Sequence, residues 1–315
     1  LWDIVRALKE KGIAIMIVNH KLDEIYRIAD RLTILRNGTY ISSGDISEYD
    51  QARFTKDMTG RDIVETKYTP EESGEEVLRV EHLSRKGAFE DVSFTLHKGD
   101  VLGITGLLGS GRGEIGEALF GIAPAESGKI FLNGKEIEIK SVKDAMTNEI
   151  GYVPEDRLTQ GLFMERSIQD NVIAASIRKY MKGGKLDEKE MEDTTNHWIK
   201  EIEIKAPSPK PAVRTLSGGN AQKVVIAKWL NTNPKLFILD GPTVGVDIGA
   251  KAEIHEILHG LAKKGVGIII ISDDLPELVQ NCNKIVVMRD GKLSGSMDNS
   301  IDERTLGNIL VGATE

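Results

Sequence analysis

The chain has 315 residues, of which 40% are hydrophobic and 29% are charged, a composition typical of a globular protein with one large or two smaller domains. The net charge of -8 argues against a protein that binds nucleic acid mainly through phosphate contacts, so we expect no nucleic-acid partner. Cys282 is the only cysteine, which excludes an intrachain disulfide and favours a reducing compartment. No apolar run reaches the roughly 18 residues that a membrane-spanning helix needs.

The first residues, LWDIVRALKEKG (1–12), have the charge and apolar spacing of an amphipathic helix. They have neither the shape of a signal peptide nor an initiator Met. We therefore expect the chain to begin inside a longer protein.

Residues 1–45 align without gaps to residues 254–298. Within them, KGIAIMIVNHKLDEI (11–25) matches KGVGIIIISDDLPEL (264–278). Both copies predict a helix, an apolar strand, a second helix and two strands joined at a Gly turn. A chance likeness between two α/β segments is the alternative, but the ungapped match favours an internal repeat.

The repeat implies two related domains in the parent protein. We expect residues 1–60 to be the tail of a truncated first domain and residues 77–315 to be the complete second domain. Residues 61–76 between them include the polar, acidic run ETKYTPEESGEE and are the predicted linker.

Three strand patterns at 77–83, 90–96 and 100–106 begin the second domain. The glycine-rich run GITGLLGSGRG (103–113) follows the third strand, and EIGEALFG (114–121) predicts the next helix. A strand, a glycine-rich loop and a helix in this order are the context in which backbone N–H groups bind phosphate.

Two further motifs come later in the chain. LSGGNAQKVVIAKWL (216–230) predicts a helix that begins at a Ser-Gly-Gly turn, where backbone amides can approach an anion, although an ordinary N-cap gives the same pattern. KLFILDGPTVGVD (235–247) predicts a buried parallel strand that ends at Asp240, the edge at which ligands bind in such sheets. Alone, it would equally suit a strand followed by a Gly-Pro turn.

The three motifs in this order resemble an ATP-binding-cassette domain. With YVPEDR (152–157) and GVDIGAK (245–251), the chain is similar to the tandem-cassette ATPases of bacterial sugar importers of the ribose, galactose and xylose type. This resemblance implies an α/β, P-loop NTPase-type cassette with a mixed sheet core, an antiparallel β subdomain and a helical subdomain at about 155–215.

The resemblance also implies ATP and Mg²⁺ as cofactors, with Asp240 and Glu155 as candidate metal ligands. The residues expected at this domain's own phosphate site are Gly106, Gly109, Ser110, Gly111, Arg112, Gly113, Glu114, Glu155 and Asp273. The residues expected to contact nucleotide from the signature helix are Leu216, Ser217, Gly218, Gly219, Asn220 and Gln222.

Cassettes of this family pair head to tail, so each ATP lies between one phosphate loop and the other cassette's signature turn. Ser217 would then serve the first cassette's ATP. His20 aligns with Asp273 and would be the first cassette's switch residue. Ser217, His20 and Asp240 are thus the predicted catalytic residues, with a first cassette, present in the same protein or supplied by another chain, as the predicted partner.

The second domain departs from the family pattern at its own phosphate site. Arg112 replaces the usual Lys, and Gly113 lacks the hydroxyl that would bind Mg²⁺. Gly241 lacks the carboxylate that would orient water, and Asp273 replaces the switch His. We therefore expect this site at best to bind nucleotide and to hydrolyse it poorly, while drift in a site that binds nothing remains open.

The family resemblance implies a location at the cytoplasmic face of the bacterial inner membrane, with membrane permease subunits as partners and, indirectly, a sugar-binding protein. Residues 154–166 are the candidate permease contact, although a solvated loop would fit as well, and Phe89 is the only nearby aromatic candidate for adenine stacking. The rival functions are a soluble tandem-cassette protein acting on ribosomes and a non-enzymatic nucleotide-sensing module. The short acidic linker disfavours the ribosomal rival, which tends to have a long basic one.

Overall fold

The computed structural model describes residues 2–19, 22–36, 38–60, 67–70, 74–298 and 300–312. The chain divides into two compact units. The smaller unit comprises the described residues within 1–65 together with 246–253, and the larger unit comprises those within 66–245 and 254–315.

The strands of the described residues are β1 (Arg31–Arg36), β2 (Thr39–Asp45), β3 (Glu76–Arg85), β4 (Phe89–His97), β5 (Val101–Gly106), β6 (Ser127–Leu132), β7 (Lys135–Ile137), β8 (Ile150–Val153), β9 (Met181–Lys182), β10 (Lys185–Leu186), β11 (Leu236–Asp240), β12 (Gly267–Ile271), β13 (Lys284–Arg289) and β14 (Lys292–Asp298).

The α-helices are α1 (Trp2–Glu10), α2 (Leu22–Ile28), α3 (Gln51–Thr59), α4 (Arg112–Phe120), α5 (Val142–Thr147), α6 (Ile168–Ile173), α7 (Glu188–Glu201), α8 (Gly218–Leu230), α9 (Ile248–Lys263), α10 (Leu275–Asn281) and α11 (Glu303–Val311). The described ranges also contain the 3₁₀ segments Ile46–Glu48, Ala174–Tyr180 and Val213–Thr215 and the π-helical turn Arg157–Gly161.

The centre of the larger unit is a six-stranded sheet in the order β14-β13-β5-β12-β11-β8. The β13–β14 pair is antiparallel, and the other neighbours are parallel, so the sheet is mixed. The side chains of Leu236 through Leu239 and of Ile268 through Ile271 are all buried, as expected for central strands that are covered on both faces.

A second, antiparallel sheet has the order β4-β3-β6-β7 and contains the strand patterns read at 77–83 and 90–96. Between β8 and α8 the chain is mainly helical, with α6, a 3₁₀ segment, the short β9–β10 hairpin and α7. The expected fold class, an α/β chain with a mixed sheet core, an antiparallel sheet and a helical segment, is confirmed.

The smaller unit is built around the β1–β2 hairpin and α3, with a cluster of Leu32, Ile34, Tyr49 and Phe54 at its centre. The apolar strand predicted at 13–18 does not form there: these residues have no regular structure, and Met16 and Val18 are exposed. Its counterpart, β12, lies between β5 and β11, whereas the described part of the smaller unit offers residues 13–18 no neighbouring strand. A strand needs such a neighbour to pair its N–H and C=O groups.

Among the described residues, no helix combines the length and the apolar character that crossing a membrane requires.

The central sheet makes a direct prediction about stability. Leu239 is 0% exposed in β11, whereas Leu108 is 98% exposed in the loop before α4. Leu239→Ala should lower the free energy of unfolding by about 2–5 kcal/mol, because it leaves a cavity in a packed core. The matched Leu108→Ala should change it by less than about 0.5 kcal/mol. Denaturant unfolding of both variants measures the contrast, and equal losses would contradict the assigned core.

Candidate nucleotide-binding site

The candidate site lies at one edge of the six-stranded sheet, where several parallel strands end together. Asp240 pairs with Ile271, Leu239 pairs with Val153, and Ile271 pairs with Ile104. This register brings the residues that follow β5, β8, β11 and β12 to the same edge. The sheet thus gathers the phosphate loop with Glu155, Asp240 and Asp273, which lie far apart in sequence.

The loop between β5 and α4 has the backbone of a phosphate cradle. Gly111 has a φ of 92°, and a Cβ there would lie 2.5 Å from the carbonyl oxygen of Ala88, so the position requires glycine. Helix α4 begins at Arg112 without a side-chain cap, which leaves its first N–H groups available to an anion. The Ser110 hydroxyl is buried and has no hydrogen-bond partner. Glu114 lies in the first turn of the same helix.

Arg112 and Asp273, which depart from the family pattern at separate places in the sequence, form an ion pair in the structure. One Arg112 Nη atom donates to the carbonyl oxygen of Gly106 at 2.6 Å, and the other lies 3.2 Å from a carboxylate oxygen of Asp273. The Arg112 side chain is 14% exposed and that of Asp273 is 71% exposed. The guanidinium is therefore already engaged by the protein, and Asp273 is its counter-ion.

Asp240 lies in an electrostatically unfavourable place for a carboxylate. Burial and the neighbouring Glu155 raise its pKa to about 7, against the opposing effects of Arg112 and a hydrogen bond from Tyr152. The Tyr152 hydroxyl lies 3.4 Å from an Asp240 carboxylate oxygen, and burial and Asp240 raise the pKa of Tyr152. Sequence reasoning missed Tyr152, whose position two residues before Pro154 in YVPEDR was its only signal.

The region between Gly113 and Asp240 is where a Mg²⁺ ion would bind in a phosphate site of this kind. A Cβ at Gly113 would lie 3.3 Å from an Asp240 carboxylate oxygen, so this position faces Asp240 but offers no hydroxyl. Within the described residues, no group of three or more His, Cys, Asp or Glu side chains is arranged to hold a metal. The residues present fit a phosphate cradle, whereas the metal-ligand set that the family implies is incomplete.

The residue after Asp240 is Gly241, and its backbone conformation is unusual. Gly241 has a φ of 55°, and a Cβ there would lie 2.9 Å from a methyl group of Val244 and 3.2 Å from Cγ of Glu155. A side chain at this position would be strained and crowded. The backbone therefore favours glycine at the position where the family resemblance led us to expect a water-orienting acid.

The signature turn is at the surface. Ser217 is the exposed N-cap residue of α8, and its hydroxyl accepts a hydrogen bond from the side-chain amide of Asn220 at 2.8 Å rather than capping the helix. Leu216 immediately precedes it, and Gly218 begins the helix. The side-chain hydrogen bonds of Ser217 and Asn220 go to each other and to the backbone N–H of Lys205, not to the phosphate loop. The two motifs therefore do not form one site within this unit.

Two residues that were expected to contact nucleotide are buried, and a third lies outside the described residues. Gln222 is 1% exposed within α8, so its expected contact with nucleotide is wrong: the side chain faces the interior. Phe89 is buried and cannot stack on an adenine from solvent, which corrects the second expectation. His20 lies outside the described residues, so its role stays a prediction.

Arg157, within the candidate permease segment 154–166, makes structural contacts that the sequence did not predict. Its guanidinium donates to the carbonyl oxygens of Val244 and Gly245, with the second distance at 3.2 Å. A Cβ at Gly218 would lie 3.1 Å from the same guanidinium. Arg157 thus connects the segment after β8 to the turn after β11, beside the start of the signature helix.

Glu277 organises a buried network that includes Thr243 of the same turn. Its carboxylate accepts hydrogen bonds from the hydroxyls of Thr243 and Ser272, both at 2.6 Å, and lies 2.9 Å from Nε2 of His255. Burial opposes ionisation, but these partners, led by His255, lower the pKa of Glu277 to about 2. The match of Glu24 to Glu277 in the repeat was the signal that could have identified it.

This geometry agrees with the comparisons to known proteins. Residues 89–244 match the sequence model of the ABC transporter family. The chain therefore contains an ABC transporter ATPase domain, and the expected family is confirmed. ABC ATPases as a family bind ATP with Mg²⁺ and hydrolyse it.

The relatives are import proteins. A putative ribose/galactose/methyl galactoside import ATP-binding protein 1 from Rhizobium etli is 41% identical over 317 residues, which cover 100% of this chain and 60% of that protein. The ribose import ATP-binding protein RbsA from Bacillus subtilis is 40% identical over 316 residues, covering 100% of this chain and 64% of that protein. The chain thus spans about 60–64% of the length of these relatives.

The fold also matches solved structures. A crystal structure of a nucleotide-free ATP-binding cassette from an ABC transporter superposes with a TM-score of 0.63 at 24% identity, covering 75% of this chain and 95% of that one. At this identity the likeness concerns the fold.

The raised pKa of Asp240 predicts that ionisation of this carboxyl lowers the free energy of unfolding. Its folded-state pKa of about 7 exceeds an unfolded value of about 3.9, so the carboxyl's contribution to stability is complete below pH ~4 and is lost as pH rises through ~7. Asp240→Asn should therefore be more stable than the wild type at pH 8, on the order of 2–4 kcal/mol, with the difference vanishing towards pH 4. Denaturant unfolding at both pH values measures this. The exposed Asp298→Asn is the control, and the same pH dependence in both variants would contradict the assignment.

Proposed function

We propose that the chain is the C-terminal part of an ATP-binding subunit that powers import of a sugar through a membrane permease. Residues 77–315 would be its second cassette, residues 1–60 the tail of its first cassette and residues 61–76 the linker. The second cassette lends its signature turn to the first cassette's ATP site. Its own site binds nucleotide and hydrolyses it inefficiently.

The observation that carries this proposal is the state of the phosphate site. The cradle keeps its glycine backbone and free helix N-terminus, while Arg112 is engaged by Gly106 and Asp273. Gly241 adopts a left-handed conformation that disfavours the missing acid. Backbone binding of phosphate is thereby retained without the groups that position a water for attack.

The signature turn supports the other half of the proposal. Ser217 is exposed at the start of α8, and the side-chain hydrogen bonds of Ser217 and Asn220 go to each other and to the backbone N–H of Lys205. The backbone amides and hydroxyl of the turn are therefore available to a nucleotide held by another cassette. That nucleotide would lie on the first cassette's phosphate loop, with His20 as its switch residue.

The proposed partners follow from the import relatives and from the surface after β8. Leu158 and Phe163 are large apolar side chains that are exposed within residues 154–166, the candidate permease contact. If these two side chains belong to one apolar patch, that patch would suit a protein partner. The subunit would act at the cytoplasmic face of the inner membrane, with a sugar-binding protein as an indirect partner.

A nucleotide-sensing module without turnover is the second candidate, and the engaged Arg112 favours it for the isolated second cassette. A soluble tandem-cassette protein is less well supported, because the relatives are described as import proteins.

The two proposed sites should respond unequally to substitution in the full-length protein. Ser217→Arg places bulk and charge in the signature turn and should lower ATPase activity about 10²-fold or more, the scale for losing preorganised donors. Arg112→Ala should lower it less than about threefold, because Arg112 belongs to the poorly hydrolysing site. Steady-state phosphate release measures both, with Ser296→Arg on the exposed edge of β14 as the control. A larger loss from Arg112→Ala than from Ser217→Arg would overturn the assignment of the two sites.

The chain itself, without a first cassette, should bind nucleotide with little turnover. The missing base predicts hydrolysis about 10²–10⁴-fold slower than that of the full-length protein. Calorimetric binding and phosphate release on the same sample separate the outcomes. Turnover equal to that of the full-length protein would refute the degenerate site, and absence of binding would favour drift.

A further inference from the structure

The charges around the phosphate cradle are unusual for a triphosphate site. Glu155, Asp240 and Asp273 all lie at the edge of the sheet that holds the loop: Glu155 acts electrostatically on Asp240, and Asp273 pairs with Arg112. The Arg112 guanidinium lies beside two of them, Asp240 and Asp273. An incoming phosphate would therefore meet acidic side chains as well as this guanidinium.

The cation is not free to balance an added phosphate. Arg112 donates to the carbonyl oxygen of Gly106 and pairs with Asp273 at 3.2 Å. To neutralise a phosphate charge, the guanidinium must either break its ion pair with Asp273 or contact Asp273 and the phosphate at the same time. In either case the exposed Asp273 carboxylate stays beside the loop and repels the anion.

A divalent cation would normally offset this repulsion, but the structure weakens that route. Gly113 provides no hydroxyl where the position faces Asp240, with 3.3 Å between a built Cβ and the carboxylate oxygen. The backbone amides at the start of α4 remain, and they bind one phosphate group well through the helix dipole. A further phosphate, bound beyond these amides, would lie nearer Asp240, which faces residue 113, and Asp273, which pairs with Arg112.

Resting on the nucleotide binding proposed above, we propose that this site prefers a nucleoside diphosphate to a triphosphate, and that Asp273 is the specificity-determining residue. ATP carries one more negative charge than ADP, and that charge meets Asp273, Asp240 and Glu155. ADP would place its terminal phosphate on the backbone amides, without the extra negative charge that ATP brings close to these carboxyl groups. The site thus retains the product form of the nucleotide rather than the substrate form.

Calorimetric titration of this chain with ADP and with ATP, in EDTA and in Mg²⁺, tests the preference. In EDTA, ADP should bind about tenfold more tightly than ATP, and the ratio should shrink as salt screens the carboxylates. Asp273→Asn should strengthen ATP binding about three- to tenfold and change ADP binding less than about twofold. Asp193→Asn, which removes the same charge from an exposed position on α7, should leave both affinities unchanged.

The outcomes separate the inference from the proposal on which it rests. If neither nucleotide binds, the proposed nucleotide site fails, and the inference fails with it. If ATP binds as tightly as ADP or more tightly, the inference is overturned while nucleotide binding stands. If the wild type prefers ADP but Asp273→Asn, folded by circular dichroism, keeps the preference, Asp273 is not its determinant.

Discussion

The parallel register of β8, β11, β12 and β5 is the constraint on which the site depends. Because Asp240 pairs with Ile271 and Ile271 pairs with Ile104, the residues after these strands must meet at one edge. The buried isoleucine, leucine and phenylalanine side chains of the central strands hold the sheet inside the core, where both of its faces are covered. The chemistry of the edge follows from residues that contribute little to the core.

The fold could be read from the sequence because its signals are local. Apolar runs marked β5, β11 and β12, and the glycines after β5 marked a loop before α4. The strand expected at 13–18 failed for a non-local reason, since the described smaller unit offers it no neighbouring strand. The expected nucleotide contacts of Gln222 and Phe89 were wrong, because a sequence motif does not show which way a side chain faces.

The site was only partly readable for the same reason. Arg112 and Asp273 stood out separately as departures from a pattern, but their ion pair exists only once β12 lies beside β5. The pairing changes the meaning of both residues: a lone Asp273 would only repel phosphate, whereas the paired residue also holds the guanidinium that would attract it. Glu277 likewise owes its low pKa to donors from other elements, including His255, that no linear motif contains.

The fork that Arg157 makes with the carbonyl oxygens of Val244 and Gly245 has a mechanical consequence. A planar guanidinium that holds two successive carbonyls fixes both distance and angle, unlike a single flexible contact. The exposed stretch carrying Leu158 and Phe163 begins one residue later, so it is anchored to the turn after β11 rather than hinged beside it. A displacement of those apolar side chains would therefore be transmitted to that turn through the two Arg157 hydrogen bonds.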